Sequence, residues 1–80
     1  MAHINKVLVS IETDDGGRCV DLFRRPDGSF GFEEYRRDVE DGQGWFAIGS
    51  FGDRRFESEV LAKTAALNVV TWLSRFWPKD

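Results

Sequence analysis

The sequence predicts an α+β fold: an antiparallel β-meander of three to four strands with one C-terminal α-helix packed across one face. Three observations predict it. Turn-forming clusters punctuate the first fifty residues at intervals of about 8–12 residues. β-branched and aromatic residues fill the stretches between them. From Glu57 to Phe76 there is no Gly or Pro, and the apolar residues recur with a helical period.

The first strand is expected from about Ile4 to Thr13, where Val7, Val9 and Ile11 alternate with Leu8, Ser10 and Glu12. Asp14-Asp15-Gly16-Gly17 then turns the chain. The second strand runs from about Arg18 to Arg25, with Val20 and Leu22 on one side and Cys19, Asp21 and Phe23 on the other. Pro26-Asp27-Gly28 follows, Pro pre-setting φ and Gly free to take a positive one. The third strand runs from about Ser29 to Val39. Phe30 and Phe32 share a face, and Tyr35 breaks that parity. Tyr35 therefore points outward, unless a bulge near Glu33-Glu34 resets the faces. After a turn at Glu40-Asp41-Gly42-Gln43-Gly44, a fourth strand is expected from Gly44 to Phe51, with Gly52-Asp53 as its exit.

The helix is the clearest element. Phe56-Glu57-Ser58-Glu59 places acidic residues at its entry, where the dipole is positive, and Pro78 stops it. Its apolar arc begins with alanines that permit close approach and ends with large rings; Val60 and Leu67 fall on the polar side. The predicted core is Val7, Val9, Ile11, Val20, Leu22, Phe30, Phe32, Phe46, Ile48, Leu61, Ala65, Val69, Trp72 and Phe76.

One domain spans residues 1–80. A chain this short buries only about 60–65% of its unfolded surface. Its 14% aromatic content compensates, because each ring buries roughly 150–250 Å². Cys19 is the single cysteine, so no internal disulfide forms, and the expected compartment is the reducing cytoplasm. No basic-then-apolar leader is read, and no apolar run reaches the ~20 residues of a membrane span. The charge of −3 and pI near 5.1 argue against nucleic acid as the default partner.

No catalytic, cofactor or metal set is assigned. The only histidine, His3, sits near the N-terminus, and Cys19 reads as a small strand hydrophobe. The acids around Asp38–Gly42 lack the ligand spacing of a calcium loop, and Glu33-Glu34 point to opposite faces of a strand. The arginines come in pairs, Arg24-Arg25, Arg36-Arg37 and Arg54-Arg55. Cross-strand pairing with Asp21, Glu33, Glu34, Asp38 and Glu40 is their expected use.

Phe30-x-Phe32-x-x-Tyr35-Arg36-Arg37 followed by Trp45-Phe46-x-Ile48-Gly49-Ser50-Phe51, ahead of an Ala-rich helix, resembles the AP2-type DNA-binding domain from about Asp21 to Asn68. That resemblance implies a sheet reading the major groove with Arg and Trp side chains. The chain differs from that family in its acidity and its additional first strand. In general form it also resembles the small uncharacterised single-domain proteins common in bacteria, which implies no activity.

One helix covers one face of a sheet, so the other meets solvent or a partner. The function expected is a non-enzymatic protein-interaction module, with a homodimer through the open sheet face as one assembly. The alternative is a nucleic-acid-binding module using Arg and aromatic residues of the sheet. The candidate interaction surface is Phe23, Arg25, Tyr35, Arg37 and Trp45, with Leu8 beside them.

Overall fold

Local turn chemistry builds the first two hairpins. The Asp15 carboxylate accepts from the Gly17 amide at 2.9 Å and the Thr13 hydroxyl at 2.6 Å, while Gly16 takes φ +72°. Asp27 repeats the device at the second turn, accepting from the Ser29 amide at 2.8 Å beside Gly28 at φ +90°. Short acceptors that bond two residues ahead replace the ladder bonds a reversing chain loses.

The computed structural model describes residues 4–38, 42 and 44–77. His3, Val39, Glu40, Asp41, Gln43 and Pro78 lie outside them. Four strands, β1 (Lys6–Glu12), β2 (Arg18–Arg24), β3 (Phe30–Arg36) and β4 (Phe46–Ala47), form one open antiparallel sheet in the order β1-β2-β3-β4. Two helices follow, α1 (Glu59–Val69) and α2 (Leu73–Phe76). The helix α1 packs on β3 and β2, and α2 on β1. No helix among the described residues is long and apolar enough to cross a membrane.

The register of β3 against β2 is unbroken, so Tyr35 points to the face opposite Phe32. The bulge sits instead in β1, between Val7 and Val9. It reverses the parity of the strand: Val9 and Ile11 face the helices, and Val7, expected in the core, is exposed on the open face with Phe23.

The core consists of Ile11, Val20, Leu22, Phe32, Ala62, Ala66, Val70 and Leu73, with Val9, Phe30, Phe51, Phe56, Trp72 and Phe76 packed around it. Leu61 and Val69, expected in it, are exposed. Ala62 and Ala66, one position later in the helical cycle, lie fully buried against the sheet. Small side chains let the helix axis come close, and that gain sets the phase over the larger residues beside them.

The single long helix expected from Glu57 to Phe76 is broken. The Ser58 hydroxyl accepts from the Leu61 amide at 3.1 Å and starts α1, but Val70 is extended at φ −96°, ψ 99°. Val69-Val70-Thr71 is a run of β-branched residues, stiff at χ1 and weak helix formers. The break turns the chain so that Leu73 can be fully buried over the sheet. The expected fourth strand also shortens to two residues. Phe46 and Ile48, expected in the core, lie beyond the reach of the helices and are exposed. The chain rejoins β3 only at the Phe30–Phe56 bridge, leaving residues 49–55 as a loop along the β3 edge.

Candidate functional site

Strand parity places Ser10, Glu12, Cys19, Asp21, Phe23, Gly31, Glu33 and Tyr35 on the face away from the helices. No second layer among the described residues covers it, yet Phe23 is only 6% exposed and Glu33 only 8%. Two polar clamps account for this. The Arg25 guanidinium stands 5.0 Å over the Phe23 ring. It donates to the Ser29 hydroxyl and to the carbonyls of Phe30, Gly52 and Arg54. The Glu33 carboxylate accepts from the amides of Phe51 at 3.3 Å and Gly52 at 3.0 Å. Opposite charges thus satisfy opposite groups of loop 49–55 and hold it against β3. Gly31 makes room for this: a Cβ there would sit 2.8 Å from an Arg25 nitrogen and 2.9 Å from the Phe23 ring.

Of the expected surface residues, Phe23 and Arg25 therefore serve the loop. Tyr35, Trp45 and Arg37 come together at the other end of the face. The Arg37 guanidinium lies 4.6 Å from the Trp45 ring centre, and its Nε donates to the Gly16 carbonyl at 2.8 Å. Tyr35 and Trp45 line a shallow cleft of about 220 Å³ together with Ser10, Glu12, Cys19 and Asp21. The rings are not continuous across the face: the Asp21–Glu33 cross-strand pair separates the Phe23 level from the Tyr35 level. Leu8 is the half-buried residue at the β1 bulge.

The cleft is electronegative. Asp21 accepts from the Ser10 hydroxyl at 2.7 Å and the Cys19 thiol at 3.3 Å. Burial, and then the carboxylates of Asp21 and Glu12, push the Cys19 thiol up to about 11, with the Ser10 hydrogen bond opposing. Burial also raises the Tyr35 phenol, with Asp21 and Glu33 adding to it. A buried thiol held protonated is a poor nucleophile.

The arginine pairs stand mainly over rings, in place of the cross-strand acids expected from the sequence. Arg24 lies over Phe30, Arg36 over Phe46 and Arg54 over Phe51, at 5.9, 5.7 and 5.6 Å. Arg55 meets an acid, Asp27. Glu34 meets Arg18 at 3.4 Å and accepts from the Trp72 indole at 2.9 Å.

Parity of β1 and β2 already placed Ser10 with Glu12, and Cys19 with Asp21. These four residues help line the cleft, so its polar half carries a period-two signal in the sequence. Glu33 as a loop clamp had no local signal, because its partners lie 18 and 19 residues downstream. No family model, no curated protein and no solved structure matches the chain.

Proposed function

We propose that the protein is a non-enzymatic interaction module of the cytoplasm whose open sheet face receives a basic side chain of a protein partner. The observation that carries this is the cleft of Ser10, Glu12, Cys19, Asp21, Tyr35 and Trp45. Two carboxylates and two aromatic walls suit a guanidinium or ammonium group, which gains from opposite charge and from the ring quadrupole together. Trp45 already holds one guanidinium, that of Arg37. Cys19, engaged as a protonated thiol with Ser10 and Asp21, suits a reducing compartment.

Nucleic acid through the sheet's Arg and aromatic residues is the alternative reading. Exposed guanidiniums over rings favour it, as at Arg24 and Arg36. Both lie on the helix side of the sheet, however, away from Tyr35 and beyond the acidic open face. The guanidiniums are thereby divided between two faces, one of them lined by Glu12 and Asp21, whereas single-strand binders track the backbone along one positively charged groove.

The test is an NMR titration of the labelled full chain with a short Arg- and Lys-rich peptide, and separately with mixed DNA and RNA oligonucleotides. The peptide is expected to shift the amides of Ser10, Glu12, Asp21 and Tyr35 and the Trp45 indole, less so with Glu12→Gln or added salt. A peptide that moves none of these resonances refutes the reading. Oligonucleotides that move the Arg24 and Arg36 amides instead would establish the alternative.

A further inference from the structure

The open face has a second feature, at the far end of the same strands. Asn5, Arg25, Pro26, Asp27 and Arg55 line a groove of about 490 Å³. Arg55 is exposed there. Its Nη1 is held by the Asp27 carboxylate and by the Ser29 hydroxyl at 3.1 Å, and the guanidinium makes no further hydrogen bond among the described residues. Two guanidiniums against one carboxylate make this end positive. The cleft at the other end is lined by the carboxylates of Glu12 and Asp21, and the Arg37 guanidinium beside it is engaged by the Trp45 ring and the Gly16 carbonyl. Cys19 and Arg25, six residues apart on one extended stretch, set the two ends about 20 Å apart.

A face that is acidic at one end of its strands and basic at the other is complementary to itself. Resting on the reading of this face as an interaction surface, we propose that the partner is a second copy of the chain. The copies dock open face to open face about a two-fold axis running across the strands. Arg55 of each copy enters the Glu12–Asp21 cleft of the other, against Tyr35 and Trp45. The charge pattern selects this axis. A two-fold axis along the strands would lay acid on acid and base on base, while one across them pairs opposite ends twice. The shape permits it: the molecule measures 37 × 35 × 20 Å, flat enough to offer a broad contact. A standard interface of about 800 Å² per partner would take roughly a seventh of the 5632 Å² surface.

The experiment is sedimentation of the full chain with charge reversal at each end. The wild type is expected to move from 9.2 kDa toward twice that mass as concentration rises, and to dissociate with added salt. Arg55→Glu and Glu12→Arg should each weaken the dimer about tenfold or more, since each puts like charges together twice. An equimolar mixture of the two variants should restore it, because both contacts then pair opposite charges. Circular dichroism checks that each folds; should one not, Arg55→Gln and Glu12→Gln replace them, with a weakening of several-fold expected. A wild type still monomeric near about 1 mM, the level of chance contact, overturns the proposal. So does a dimer that neither substitution weakens, or one that the mixture fails to restore. A monomer whose cleft still binds the basic peptide sinks the second copy alone; a cleft silent to both sinks the interaction reading with it.

Discussion

The two faces of the sheet bury their side chains by different physics. On the helix side, Val20, Leu22 and Phe32 disappear beneath Ala62, Ala66 and Leu73, apolar against apolar. On the open side, Cys19, Phe23 and Glu33 are almost as well buried without a second layer among the described residues. A guanidinium lies over Phe23, and the Glu33 carboxylate anchors the loop by accepting from its backbone amides. The first kind of burial depends on volume and tolerates chemistry poorly. The second depends on fixed hydrogen bonds and tolerates charge because each charge is partnered. The difference teaches that an uncovered sheet face need not be either greasy or solvated.

Substitutions break this comparison where each face is weakest. The largest effect belongs to the helix side. Phe32→Ala should destabilise by about 3–5 kcal/mol, from lost transfer energy and the cavity left behind, as measured by chemical denaturation. A loss under about 1 kcal/mol would mean the layers are not close-packed there.

On the open side Arg25→Ala should cost about 2–3 kcal/mol, because four hydrogen bonds to a charged group and a ring contact go at once. Arg25→Lys should restore little, since an ammonium lacks the planar fork that reaches the separate carbonyls. Hydrogen exchange should speed up specifically at Gly52–Phe56. Uniform acceleration through the whole chain would contradict a local clamp.

Glu33→Gln should cost about 1–3 kcal/mol, since an NH₂ group then faces a backbone amide that needs an acceptor. The same exchange measurement, read at Phe51 and Gly52, checks it. An unchanged loop would assign the anchoring to Arg25 alone.

Titration sharpens the comparison further. With Cys19 pushed from 9.0 to about 11, the folded thiol should alkylate about a hundredfold more slowly than an unfolded one near pH 8. Below pH 9 the thiol is protonated in both states. Between pH 9 and about 11 the unfolded chain releases its proton first, so stability should fall as pH rises. A thiol that reacts at the unfolded rate would place Cys19 at the surface.

The smallest effect lies at the basic end. The Ser29 hydroxyl and amide, with Arg55 behind them, lower Asp27 from 3.8 to about 2. Its contribution to stability is present above pH 3.8 and lost as pH falls toward 2. By NMR, Ser29→Ala should raise this pKa more than Arg55→Ala does. The reverse order would make the ion pair the dominant support of Asp27.

How much of this was legible in the residues varies along the chain. The two Asp–Gly turns, the strand between them and the Ser58 start of the helix rest on partners a few residues apart, and pattern reaches such partners. The outward Tyr35 follows from period two, once no bulge intervenes in β3. The β1 bulge offers no such signal, because Val7, Leu8 and Val9 are all apolar and either parity reads equally well. The candidate surface was half legible: Tyr35, Arg37 and Trp45 meet as their types suggest, while Phe23 and Arg25 turn out to be a ring and its lid.

By itself the sequence determined the class of fold, the strand order and the reversals, since each depends on local backbone preference and on period. Only the tertiary structure decided the phase of the helix, its break at Val70, the short β4 and the clamped loop. Those depend on how closely two layers can approach and on which distant amide finds a carboxylate. Such choices are made by packing and by the satisfaction of buried polar groups, and no window of neighbouring residues contains them.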